Sequence, residues 1–169
     1  EQANPKLGYF VGTLHSGLEL EIQEPKLISM EGKNFSAGSI AVRGNHVIPE
    51  NDSEWLVTGD YGYLDEKGGL YLTARAGNEN LVQGFSHYQL EHTLVNLPGV
   101  EQAAAIAEDS VFKIFVEGSG DLSEIRISLK NHFPEIIVGS VEKIAKMPMD
   151  RRHHSKILYK NLCTPNLKT

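Results

Sequence analysis

The sequence predicts an α+β protein, with a strand-rich first part followed by a smaller part in which helices lie on a short sheet. Three observations carry that expectation. Up to Arg75 the apolar residues alternate with polar ones or form short β-branched runs bounded by glycine, as strands do. Beyond Asn80, two stretches space their apolar residues for one face of a helix, with strand-like runs beside them. Between these textures, Ala76-Gly77-Asn78-Glu79-Asn80 is small and polar with no apolar pattern, which reads as a linker. The expected division is residues 1–76 and 77–169.

The elements follow in order. Gly17-Leu18-Glu19-Leu20-Glu21-Ile22 alternates apolar and acidic side chains, as a strand with one buried face does. Gly38-Ser39-Ile40-Ala41-Val42-Arg43-Gly44 is a second strand between glycines. Gly62-Tyr63-Leu64 and Gly69-Leu70-Tyr71-Leu72-Thr73 flank Asp65-Glu66-Lys67-Gly68, a hairpin whose glycines can take positive φ. Leu90, Leu94, Val95 and Leu97 share one helical face, and Pro98-Gly99 ends that helix. Residues 100–107 and 111–116 read as strands. Asp121 is placed to cap a second helix, with Glu124 at the capping-box position and Ile125, Leu129 and Phe133 as its apolar stripe. Pro134 ends it, and residues 136–144 read as a last strand. There is no internal repeat or low-complexity tract.

Composition sets the class. Of 169 residues, 40% are hydrophobic and 22% charged, which suits a folded globular chain rather than a disordered one. No apolar run approaches the length that crosses a bilayer as a helix. Cys163 is the single cysteine, which excludes an internal disulfide and points to a reducing, cytoplasmic setting. The chain opens on Glu1 rather than Met, which leaves a processed protein and an excised piece equally open. A net charge of −6 disfavours nucleic acid as a partner. Against that acidic background, Lys143, Lys146, Arg151, Arg152, Lys156 and Lys160 face only Asp150, a basic run that reads either as a solvated surface or as a contact for an anionic ligand. His153 and His154 lack a cysteine or acidic partner at ligand-like spacing, so no metal site is expected.

The residues that carry chemistry are weak signals one at a time. A carboxylate at a strand end, as in Thr58-Gly59-Asp60, can accept hydrogen bonds from a vicinal diol such as a ribose. Arg75 closes the hairpin and offers a planar fork of donors. Lys156 lies between Ser155 and Ile157-Leu158 inside the basic run, where a lone lysine is ordinarily a solvated charge.

Order and spacing add to this. Residues 55–75, from Trp55 through Thr58-Gly59-Asp60, Gly62-Tyr63-Leu64-Asp65 and Ala74-Arg75, resemble the aromatic, T-G-D, G-x-L-D and G-R segment of the AMP-forming acyl-adenylate ligases. That superfamily includes acyl-CoA synthetases, peptide-synthetase adenylation domains and luciferases. Gly38 to Gly44 resembles its G-E-I-x-V-R-G strand, and Glu91 to Val100 its E-x-x-L-x-x-H-P-G-V helix and turn. Pro148-Met149-Asp150 through Ser155-Lys156-Ile157 to Leu162 resembles its closing P-x-x-x-x-G-K-x-x-R-x-x-L signature.

The resemblance implies a fold and a set of roles. Residues 1–76 would be the last β-subdomain of a large lobe, part of a distorted β-barrel, and residues 77–169 a mobile C-terminal lid. Asp60 would bind the ribose hydroxyls of ATP, brought with Mg2+, and Arg75 would assist at the ribose or phosphate. Ala76, Gly77 and Asn78 would form the hinge. Lys156 would be catalytic, stabilising charge as a carboxylic acid attacks the α-phosphate. Gly84 and Phe85 would line a channel for the thiol of CoA or an acyl carrier protein.

Departures qualify this. Gly77 and Asn78 stand where the family has Asp or Lys and then Asp. Ala74 replaces the glycine of G-R, and Ser155 the glycine before the lysine. The stretch from Gly84 to Glu91 is about two residues short. The family's phosphate loop and its aromatic-x-T-E motif are absent, as is most of the acyl pocket. The leading expectation is therefore the C-terminal piece of a carboxylate–AMP ligase, inactive alone, whose partner is the missing N-terminal lobe. The alternatives are a non-catalytic nucleotide- or partner-binding module, and an unrelated α+β domain. Relatives with a similar cation-rich ending also form β-lactones, so the acceptor stays open.

Overall fold

A computed structural model gives the fold, describing residues 8–30, 32–48, 53–150 and 156–162. Arg151, Arg152, His153, His154, Ser155 and Cys163 lie outside the described residues. The fold is α+β, and the chain divides into two compact units. The first runs to Glu79 and includes Gly84–Gln89; the second takes Asn80–Gln83 and the chain from Leu90 onward.

The first unit is one antiparallel sheet of β1 (Tyr9–Thr13), β2 (Leu18–Met30), β3 (Lys33–Gly44), β4 (Leu56–Leu64) and β5 (Gly69–Arg75), in the order β1-β5-β4-β3-β2. Met30, Ile40, Ala41, Tyr63 and Ala74 are buried in it. The Tyr63 ring stacks on Tyr71 with centroids 5.2 Å apart. The Asp65–Gly68 turn is built by Asp65, whose Oδ1 accepts from the Lys67 and Gly69 N–H groups at 2.9 and 2.7 Å, while Gly68 takes φ +78°. Gly62 has no alternative: a Cβ there would sit 2.2 Å from the Tyr71 carbonyl oxygen.

Two expectations about this unit change. β2, expected to stop at Ile22, continues to Met30, passing Pro25 through a register break between Gln23 and Lys26, with Glu24 at φ +47°. Proline is tolerated because β2 is an edge strand and the break removes the ladder position. The segment read as a linker, at whose end the chain divides into its two units, has no extended course but begins with a tight turn: Asn78 N–H donates to the Arg75 carbonyl at 2.8 Å, and Gly77 at φ +90° makes the reversal. Asn78 is buried there. Backbone closure, which a hydropathy pattern does not register, is what decides this.

The second unit contains most of α1 (His87–Val95), then β6 (Val100–Glu108), β7 (Val111–Gly118), α2 (Leu122–His132), β8 (Val138–Lys143) and the short α3 (Tyr159–Leu162). β6 and β7 form a hairpin, and α2 carries the chain across so that β8 joins β7 in parallel. Asp121 caps α2 as expected, accepting from the Ser123 and Glu124 N–H groups at 2.8 and 3.0 Å. Leu90, Leu94, Ile125 and Leu129 are buried, but Val95 is 41% exposed and lies off the apolar face of α1. The last strand starts at Val138 rather than Ile136, because Ile136 N–H bonds back to Phe133 and closes a turn. No helix among the described residues is long and apolar enough to cross a membrane.

Candidate functional site

Asp60 owes its position to a bulge. Ala41 pairs with Val57 and Ser39 with Tyr61, so Thr58, Gly59 and Asp60 of β4 stand opposite Ile40 alone. The Thr58 hydroxyl stabilises the excursion, donating to the Ile40 carbonyl at 3.0 Å and accepting from the Asp60 N–H at 3.1 Å. Gly59 takes φ +78° within it, a conformation that penalises other residues. The T-G-D tripeptide thus has a mechanical reading: hydroxyl brace, left-handed residue, displaced carboxylate.

Arg75 is the cross-strand partner of Asp60 at the end of β5. Its Nη1 donates to Asp60 Oδ1 at 2.5 Å, with the two side chains 20% and 24% exposed. The Tyr88 hydroxyl donates to the same oxygen at 3.2 Å. Both bonds fall on Oδ1, which leaves Oδ2 able to accept a further hydrogen bond. The Ala76 N–H donates to the Gly59 carbonyl at 2.9 Å, so the turn following Arg75 is anchored to the bulge.

The surroundings are buried. His87 packs against the Tyr88 ring, with centroids 4.2 Å apart. Burial above all, and secondarily the Arg75 charge, hold its imidazole down to about 3, although a hydrogen bond with the Asn78 backbone opposes them. It is therefore neutral at physiological pH. Gly84 takes φ +80° and approaches the Ser29 carbonyl so closely that a Cβ would lie 2.9 Å from that oxygen, and Phe85 is buried. Gly77 N–H donates to Glu79 Oε1 at 2.6 Å.

Lys156 belongs to the second unit and its side chain is exposed. Its backbone is held on a narrow neck where Met149 bridges Ile157. Asp150 N–H donates to the Lys156 carbonyl at 2.9 Å, and Lys156 N–H returns a bond to Asp150 Oδ1 at 2.9 Å. Below the neck, Glu91 of α1 is buried: Oε1 accepts from the Ala105 N–H at 2.8 Å and Oε2 from the Tyr159 hydroxyl at 3.0 Å. Burial pushes its carboxyl up to about 8, against the pull of those two bonds.

Asp60 and Arg75, singled out from sequence, are thus brought together on the first unit, with the Ala76–Asn78 turn directly after them. Sequence reasoning missed Tyr88 on Asp60, His87 packed against Tyr88, and Tyr159 beneath the Lys156 neck. Glu91 was noted only as a letter in a helix motif. Nothing in the local pattern marks a tyrosine whose partner lies 28 residues away in sequence.

No protein-family model matches the chain. It is 31% identical over 131 residues to a long-chain-fatty-acid–CoA ligase of Escherichia coli O157:H7, a match covering 65% of this chain and 23% of that protein. It is 26% identical over 164 residues to an L-allo-isoleucine:holo-[CmaA peptidyl-carrier protein] ligase of Pseudomonas savastanoi pv. glycinea, covering 85% and 28%. The chain thus spans about a quarter of the length of these curated relatives. Among solved structures, the o-succinylbenzoate coenzyme A synthetase of Bacillus subtilis in complex with AMP superposes with a TM-score of 0.67 at 23% identity, over 90% of this chain and 35% of that one, which shows a shared fold.

Proposed function

The chain resembles the C-terminal portion of the AMP-forming acyl-adenylate ligases, and from that premise we propose that it is the C-terminal piece of an ATP-dependent enzyme that activates a carboxylic acid as acyl-AMP. The observation that carries the proposal is the Asp60–Arg75 pair on its bulge: a carboxylate pinned through Oδ1, with Oδ2 left for a diol. On this reading residues 1–76 end the large lobe and residues 77–169 form the lid. The N-terminal lobe supplies the phosphate loop and most of the acyl pocket.

Each residue then has a task. Asp60 accepts the ribose hydroxyls through its second oxygen. Arg75 fixes that carboxylate with one nitrogen and offers its other donors to the ribose or phosphate. Mg2+ arrives on the phosphates of ATP. Attack of a carboxylate on the α-phosphorus forms the acyl–phosphate bond and releases pyrophosphate, and charge accumulates on the phosphate oxygens as it does so. The Lys156 ammonium, exposed at the end of its neck, is suited to stabilise that charge. Ala76, Gly77 and Asn78 form the hinge between the half-reactions, where the left-handed Gly77 gives the backbone its freedom.

In the second half-reaction a thiol of CoA or of a carrier protein attacks the acyl carbonyl and AMP leaves, with Gly84 and Phe85 along its channel. The names of the relatives, one a CoA ligase and one a carrier-protein ligase, support a thiol acceptor. The non-catalytic reading gains no observation of its own.

The test is ATP–pyrophosphate exchange by the complete protein across a panel of carboxylic acids. Exchange with at least one acid is expected, and this chain alone should support none. Lys156→Ala should lower exchange by about 100-fold or more, in line with loss of a charge that stabilises the transition state, while ATP binding is largely retained. Undiminished exchange by that variant would overturn the assignment of Lys156.

A further inference from the structure

We propose that the buried Glu91–Tyr159 pair is the positioning device for Lys156, fixing the neck from which the lysine projects. The proposal rests on the reading that Lys156 acts in adenylation; its content is what holds that lysine in place.

A carboxyl group is costly to bury, and a well-packed apolar residue would stabilise the same spot at least as well. Glu91 is 8% exposed and Tyr159 7%, yet both polar ends are satisfied: Glu91 takes the Ala105 N–H on one oxygen and the Tyr159 hydroxyl on the other. One carboxyl thereby ties three elements, α1, β6 and α3, at fixed hydrogen-bond geometry. Tyr159 is three residues beyond Lys156, on the first residue of α3. Between them, Leu158 N–H donates to the Pro148 carbonyl at 2.8 Å and Ile157 bridges Met149.

The apolar part of this anchor is ordinary. Tyr159 and Met147 are buried with Ala104, Ile106 and Phe115, and Met149 and Ile157 pack against them. Such packing supplies burial without a directional constraint, and apolar side chains of similar volume interchange within it at modest cost. A satisfied buried polar pair specifies one arrangement. The Tyr159 hydroxyl is the group that converts a greasy plug into a registered anchor. Above it, the two Asp150–Lys156 bonds, one between backbones and one from the Lys156 N–H to Asp150 Oδ1, carry that register to the lysine.

The complete protein provides the test. Tyr159→Phe removes one hydroxyl and keeps the ring. Expected are a roughly 3- to 10-fold fall in kcat for pyrophosphate exchange with KM for ATP unchanged within about twofold, the pattern of an interaction felt in the transition state rather than in substrate binding. In a Lys156→Ala background the same substitution should have no further effect on kcat, since a device that acts through the lysine has nothing left to position. Glu91→Gln, which keeps an acceptor for the Ala105 N–H and can replace the lost acceptor by donating its amide N–H to the Tyr159 oxygen, should lose less than Glu91→Ala. Faster hydrogen exchange at the Lys156 amide in Tyr159→Phe should accompany the loss. An unchanged kcat in Tyr159→Phe, or an equal fold-loss with and without Lys156, overturns the proposal even if Glu91→Ala fails to fold. Normal exchange by Lys156→Ala alone overturns the catalytic reading and the positioning role with it, and is distinguishable from both.

Discussion

His87 and Glu91, four residues apart on α1, are both buried ionisable groups, and they respond to pH in opposite senses. The folded-state His87 value of about 3 lies below its ordinary 6.5, so between those values the unfolded chain binds a proton that the folded chain does not. Stability therefore falls as pH drops from 6.5 towards 3. Glu91, raised from 4.5 to about 8, holds a proton when folded that the unfolded chain gives up, so its contribution falls as pH rises from 4.5 to 8. Urea unfolding across that range should show His87→Gln flattening the acid limb and Glu91→Gln the alkaline one. Neither residue announces itself in the sequence, because desolvation is a property of what surrounds a side chain. Asp60 and Arg75 could be singled out as candidates because their tripeptide and hairpin are local. Tyr88, which shares the same carboxylate oxygen, was not.

At the scale of elements, legibility follows how local the determining interactions are. The α2 cap needs only Asp121 and the two N–H groups that follow it, and it was read correctly. Asp121→Ala should destabilise the second unit by about 1 kcal/mol, measured by chemical denaturation. The hairpin from β4 to β5 is equally local, set by Asp65 and Gly68. The β4 bulge is different. Three residues stand opposite one only because β3 continues its ladder past them, so no pattern within residues 58–60 reveals it. The continuation of β2 past Pro25 depends in the same way on its edge position and on β3 as a partner.

At the scale of the whole molecule, the first sheet is completed by its most distant pairing. β1 closes the free edge of β5, with Tyr9 opposite Leu72 and Phe10 opposite Tyr71. The Phe10 and Tyr71 rings are 5.1 Å apart. Since β5 ends at Arg75, the edge that β1 covers is also the strand that holds the candidate nucleotide contact. Removing the chain through Thr13 should destabilise the first unit by about 2–4 kcal/mol, from an aromatic pair and several ladder bonds. Fluorescence of Trp55, the only tryptophan, reports that unit without a label.

The sequence by itself determined the α+β class, the hairpin, the α2 cap and the ordered motifs that carry the resemblance to acyl-adenylate ligases. Each of these is written in residues near one another along the chain, where backbone preference and side-chain period suffice. The tertiary structure decided the rest. It gave the linker segment a tight turn bonded to the Gly59 carbonyl. It set Tyr88 and Arg75 on one oxygen of Asp60, and it buried Glu91 against Tyr159 beneath Lys156. Those arrangements depend on burial and on hydrogen bonds between residues far apart in sequence, and these come into being only when the chain has folded.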